Sequence, residues 1–166
     1  MKRVMIIGCP GSGKSTLAKQ LALKLELPLV HLDVINWRDN WQTISSEEFD
    51  EVLLNEVQKD EWIIDGNYGR TIPMRLKHCD TVIYLNYSRM TCLFGVIKRV
   101  LKGYGKTRSD MGENCPERFD LEFLKFVWAF NKNNRDSYLK LLSEQKGKEV
   151  IIFRWRRECA KFLKEL

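Results

Sequence analysis

The stretch VMIIGCPGSGKSTLAKQLA, residues 4–22, sets an apolar run, Val4–Ile7, directly against a glycine-rich turn that carries a lysine. A short apolar run ending at a turn reads as a strand covered on both faces. The spacing Gly8-x4-Gly13-Lys14-Ser15 matches the phosphate-binding loop pattern G-x-x-x-x-G-K-[ST], and it lies between that strand and a helical segment. Glycine allows the dihedrals that turn successive N–H groups inward, and the start of the following helix adds partial positive charge. A triphosphate suits such a cradle. Gly8, Gly11, Ser12, Gly13, Lys14, Ser15 and Thr16 are therefore the candidate nucleotide-binding residues. Lys14 is expected to reach the β- and γ-phosphates and to act in catalysis, and the Ser15 hydroxyl to ligate Mg²⁺, with ATP as the nucleotide.

The rest of the chain repeats the same alternation. Leu29–Leu32, Trp62–Ile64, Thr81–Leu85 and Val150–Phe153 are further strand candidates. Between them Ser15–Leu25, Ser46–Lys59, Arg89–Lys102, Asp120–Leu142 and Arg156–Leu166 carry apolar residues at helical period. Ser45 with Glu48 three positions on, and Asp120 ahead of a long apolar segment, are helix-entry signals. Five strands joined through helices predict an α/β fold with a parallel sheet. Residues 103–120, GYGKTRSDMGENCPERFD, break the alternation; with three glycines, a proline and three basic residues they are expected to form a loop or lid.

At 166 residues the chain is expected to be one domain, 1–166, with that lid inserted. Five cysteines without a Cys-x-x-Cys pair fit reduced thiols, and the apolar run after Met1-Lys2-Arg3 is too short for a signal peptide or a membrane span. A cytoplasmic protein with no membrane partner is the expectation. The net charge of +6 suits polyanions, which include nucleotides, phosphorylated metabolites and nucleic acid.

Two aspartates fall at predicted strand ends, where open α/β sheets bind ligands. Asp65, closing WIID, is a candidate metal ligand; its alternative is a turn aspartate ahead of Gly66. Asp33, in HLDVINW, is a candidate catalytic and substrate-binding residue that accepts a hydrogen bond or proton from the acceptor; its alternative is a helix cap. Arg99, Arg108 and Arg118, in or beside the lid, are catalytic candidates placed to neutralise a transferring phosphoryl group, or else solvated surface charges. Trp37 is expected to wall the acceptor pocket or to pack in the core, as is Trp41, whereas His31 and His78 are expected to take no part. Arg75 and Arg135 are weaker candidates.

With those residues identified, the chain resembles the adenylate kinase-like branch of P-loop kinases, and within it the small bacterial topology modulation proteins. GCPGSGKSTLAKQLA, HLDVINW, WIIDGNYGRTIPMR, DTVIYLNYSR and GKTRSDMGENCPERF occur in that family's order and span nearly the whole chain. The resemblance implies a three-layer P-loop NTPase fold with a sheet in order 2-3-1-4-5, a lid between the fourth and fifth strands, and ATP as phosphoryl donor. It also implies that Arg70, in DGNYGRTIP, binds substrate, and that Arg154–Arg156 lie at the adenine-contacting loop, making Arg154 a cofactor-binding candidate. The expected activity is that of an ATP-dependent kinase acting on a small-molecule, nucleotide-like acceptor. A nucleic-acid-linked ATPase or regulator of DNA topology is the alternative, and nucleic acid is the less favoured partner because no helix-turn-helix, zinc-finger or RNP-like motif is present. A monomer is expected, since lid closure is self-contained.

Overall fold

A computed structural model describes residues 1–166. Five strands, β1 (Arg3–Gly8), β2 (Leu29–His31), β3 (Trp62–Asp65), β4 (Thr81–Leu85) and β5 (Glu149–Phe153), form one parallel sheet in the order β2-β3-β1-β4-β5. The three inner strands are the apolar ones and are almost wholly buried, whereas the edge strands β2 and β5 are only partly so. That gradient is what two-sided cover of a parallel sheet produces.

The helices are α1 (Lys14–Leu25), α2 (Leu32–Asn36), α3 (Ser46–Val57), α4 (Ile72–His78), α5 (Arg89–Gly103), α6 (Leu121–Ser143) and α7 (Arg156–Glu165). Helices α1 and α7 touch each other on one face of the sheet. The connections through α3, α4 and α5–α6 step the other way along the sheet, and right-handed crossovers put them on the opposite face. The result is three layers. Three helices begin at side-chain caps: Ser45 accepts from Glu48 N at 3.1 Å, Ser88 from Thr91 N at 3.2 Å and Asp120 from Phe123 N at 3.0 Å.

Three features differ from expectation. The second strand stops at His31, and Leu32 opens α2, so Asp33 stands in the first turn of a five-residue helix rather than at a strand end. Helix α4 was not foreseen: at seven residues it is too short to show a period, and Pro73 in its first turn is the signal that marks it. A small antiparallel hairpin, Trp37–Arg38 with Gln42–Thr43, follows α2. Residues 104–120 make no helix or extended strand and are tied by two single bridges, Tyr104 with Glu117 and Thr107 with Pro116.

Candidate active site

The loop between β1 and α1 is shaped by its glycines in two different ways. Gly11 (φ 77°) has no room for a side chain, since a Cβ there would lie 2.2 Å from the Cys92 carbonyl oxygen of α5. Gly13 (φ 98°) has open space around it and is required for its left-handed backbone alone. Gly13 caps α1 without any side-chain hydrogen bond, and the first turn of α1 holds no acidic residue. The helix therefore presents its amides, and their positive end, to a cavity of about 1000 Å³.

Two further observations fit a bound polyphosphate. Ser12 is buried with its hydroxyl unpartnered. Lys14 Nζ donates only to Cys9 O, at 3.2 Å, and burial lowers the ammonium pKa below its ordinary value, against the pull of Asp65 and Asp33. A buried cation with one neutral partner has bonding capacity to spare. Ser15 and Thr16 line the same cavity. No group of three His, Cys, Asp or Glu side chains is present that could hold a metal unaided, so a Mg²⁺ ion here would rely on phosphate oxygens together with Ser15 and Asp65.

Gly8 lies outside the cavity lining. Its amide donates to Asn67 Oδ1 at 3.0 Å, and that bond ties the phosphate loop to the segment following β3. Asp65 is buried at the end of β3, and His31, its register partner on β2, bonds the carboxylate through Nδ1. His31 thus orients the candidate metal ligand, although the sequence suggested no role for it. The signal was available: the last residues of two adjacent parallel strands lie side by side.

The segment 66–70 organises the acceptor side. Arg75 is fully buried and has no carboxylate partner. Its guanidinium donates to Gly66 O at 2.8 Å, to Asn67 O, and to Tyr68 O at 3.5 Å, and burial lowers its pKa to about 10. Tyr68, held in the left-handed region (φ 36°), then donates its hydroxyl to Asp33 Oδ1 at 2.8 Å. Burial raises the Asp33 carboxyl above its ordinary range, opposed by the Tyr68 hydrogen bond and by Lys14. Asp33, Asp65 and Lys14 line one cavity, and both carboxylates act on the Lys14 ammonium.

Arg70 does not join them. It lies outside the cavity lining, exposed and paired with Asp50 of α3, because its place after Gly69 turns it away from the loop that Arg75 holds. Arg154 is also outside the lining; it is exposed, and its backbone amide is held by Glu158 at the start of α7. Arg156, two residues on, lines the cavity instead and donates to Gly11 O at 3.3 Å.

Helix α5 brings Arg99, and segment 104–120, the expected lid, brings Arg108 and Arg118, to the cavity wall. Glu117, 4% exposed, forms ion pairs with both Arg99 (Nε at 2.9 Å) and Arg108 (Nε at 2.6 Å), which makes one buried carboxylate the anchor of two arginines. Arg108 also meets Asp110 at 2.7 Å, and Lys19 of α1 meets Asp110 at 3.8 Å and Ser109 Oγ at 2.8 Å. Although burial acts to raise Asp110, Arg108 and the Ser15 hydroxyl hold it below the ordinary carboxylate range. Lid, α1 and α5 are thus clasped by alternating charges. Glu117, Asp110 and Lys19 were missed because a carboxylate and a lysine amid surface-like charges show no period.

The family model described as ATPase family associated with various cellular activities (AAA) matches residues 4–64, the segment from β1 to β3. No curated protein matches the chain. Among solved structures, shikimate kinase from Bacteroides thetaiotaomicron superposes with a TM-score of 0.57 at 18% identity, covering 99% of this chain and 95% of that one. A protein of Chloroflexus aurantiacus J-10-fl, assigned as a kinase, superposes with a TM-score of 0.53 at 15% identity, covering 99% and 97%. The chain shares their α/β fold over its whole length, with the phosphate loop at the same end of the parallel sheet as its other candidate site residues.

Proposed function

We propose that the protein is an ATP-dependent phosphotransferase of the adenylate kinase-like P-loop type, using Mg²⁺ and acting on a small-molecule acceptor. The observation that carries this reading is a shared cavity holding a phosphate loop with an underbonded lysine and, beside it, a carboxylate with a free oxygen. The glycine loop and α1 N-terminus would hold the triphosphate, with Lys14 on the β- and γ-phosphates. Ser15 and Asp65 would hold Mg²⁺, whose chemistry is to neutralise charge on the transferring phosphoryl group. Asp33 accepts the hydroxyl proton of the acceptor, Tyr68 fixes the Asp33 rotamer, and Arg99 and Arg108 cover the transferring group and exclude water.

The two kinase structures of like fold support the class of reaction, and the name of the first, shikimate kinase, offers a hydroxyl compound as the kind of acceptor to test. Arg70, turned outward onto Asp50, speaks against a site that grips a nucleotide phosphate there. The nucleic-acid alternative has behind it only the net charge of +6 and the name of the family that the sequence resembles. ATP consumption measured against a panel of hydroxyl and phosphate acceptors, with Lys14→Ala as control, tests the proposal. Acceptor-dependent ADP release that Lys14→Ala abolishes is the expected result; release that is independent of every acceptor, or of Lys14, would refute it.

A further inference from the structure

Building on the phosphotransferase reading, we infer that the acceptor carries a planar aromatic ring and a free hydroxyl but no phosphate group, as a nucleoside or a hydroxymethyl heterocycle does. The first support is the wall of the acceptor half of the cavity. The hairpin after α2 lines it with Trp37 and Trp41, whose rings meet edge to face at 5.4 Å. Tyr68 lies on the same wall, stacked at 4.8 Å on the core ring of Phe49. Asn40 and Trp41 are both left-handed (φ 58° and 63°), a conformation that an indole-bearing residue adopts only when its surroundings impose it.

The lid supplies that constraint. Asn40 N donates to Asn114 O at 3.3 Å, and Asn114 Nδ2 donates to Asp39 Oδ2 at 3.0 Å. Gly112 lies so close to the hairpin that a Cβ there would come within 2.0 Å of Trp37 O. The indoles are therefore part of the closed site, and flat π-faces beside a carboxylate are suited to stack a ring.

The second support is the state of the cations. A phosphorylated acceptor needs an available positive group near Asp33. Arg70 is paired with Asp50 outside the cavity, and Arg75 also lies outside the lining, with both of its Nη atoms donating to backbone carbonyls. Arg108 is shared between Asp110 and Glu117, and Arg118 lies over the Trp41 ring at 5.2 Å with Asp120 at 3.7 Å. Lys14 belongs to the phosphate loop, and an acceptor phosphate beside Asp33 and Asp65 would meet like charge. Asp33 itself keeps Oδ2 free, since Tyr68 takes only Oδ1. In the transfer the acceptor hydroxyl oxygen bonds to the γ-phosphorus, the bond from that phosphorus to the β,γ-bridging oxygen of ATP breaks, the hydroxyl proton passes to Asp33 Oδ2, and ADP leaves.

The test titrates thymidine, cytidine, guanosine and pyridoxine against the wild-type protein held with saturating Mg·AMP-PNP, with dTMP and gluconate alongside, followed by tryptophan fluorescence and calorimetry. ADP release is then read with ATP in place of AMP-PNP. At least one ring compound is expected to quench the indole signal and to raise ADP release at least tenfold over the acceptor-free rate, with dTMP and gluconate doing neither. Trp41→Ala should raise the KM for that compound at least tenfold and leave Mg·AMP-PNP affinity unchanged, and Trp41→Phe, which keeps a ring, should restore most of it. Preference for dTMP or gluconate, or absence of binding by all four ring compounds in a protein that does take up Mg·AMP-PNP, would overturn the inference and leave the kinase reading standing. Failure to bind Mg·AMP-PNP at all would remove both.

Discussion

At the scale of single residues, the site concentrates groups held against their own preferences. Burial raises the Asp33 carboxyl above its ordinary value of 3.8. A carboxyl that holds its proton more tightly folded than unfolded adds stability that is complete below the unfolded value and is lost as pH rises through the folded one. Above the unfolded carboxyl range the buried Asp33 therefore weakens the fold. Asp33→Asn, which keeps the Tyr68 hydrogen bond, is expected to raise the melting temperature by about 2–4 °C at pH 7, the shift that roughly 1 kcal/mol gives in a chain this long. The gain should vanish below about pH 3.5, near the unfolded carboxylate range. The same substitution should lower phosphoryl transfer about 100-fold, the usual contribution of a general base, and leave ATP affinity unchanged. Thermal melts across pH, paired with turnover and calorimetry, check both halves; a variant that is less stable at pH 7, or that loses ATP affinity in step with turnover, would assign Asp33 elsewhere.

At the scale of elements, the phosphate loop and the lid fail in different ways when altered. Gly11→Ala places a methyl group within 2.2 Å of Cys92 O on a left-handed backbone, so both clash and strain apply. A loss of more than about 2 kcal/mol in urea denaturation is expected. Gly13→Ala meets only the left-handed strain, roughly 1–2 kcal/mol, and should cost less than Gly11→Ala in the same measurement. Equal losses would show that α5 does not press on the loop.

In the lid, Glu117→Gln removes the charge that holds Arg99 and Arg108 together. Tryptic cleavage after Arg108 is expected to accelerate about tenfold, as for a segment whose local opening free energy falls by roughly 1.4 kcal/mol. An unchanged digestion rate would mean that the Lys19–Asp110 contact alone keeps the lid down.

At the scale of the whole molecule, the parallel sheet and the position of the phosphate loop follow from the sequence because they depend on features that local pattern carries: buried runs, caps, and a motif of fixed spacing; the order of the strands comes from the family resemblance alone. The walls of the acceptor pocket do not. Arg70 and Arg75 are five residues apart in one basic segment, and which of them turns inward depends on α4, a helix of about two turns with no readable period. His31 beside Asp65 follows only from strand register, and Glu117 only from how the lid folds back on α5. The surplus of positive charge is likewise uninformative in sequence and placed in space: eight basic side chains line the cavity against five acidic ones. A chain that concentrates cations where a helix N-terminus already points is built to receive a polyanion.

Isothermal calorimetry of Mg·ATP binding to the wild-type protein and to Lys14→Ala, with folding of both verified by circular dichroism, tests that claim directly. One binding site is expected in the wild type, weakened at least 100-fold in Lys14→Ala, about 2.7 kcal/mol. A folded wild-type protein that takes up no Mg·ATP, or that binds it as tightly without Lys14 as with it, would show that this loop is not where the nucleotide is held.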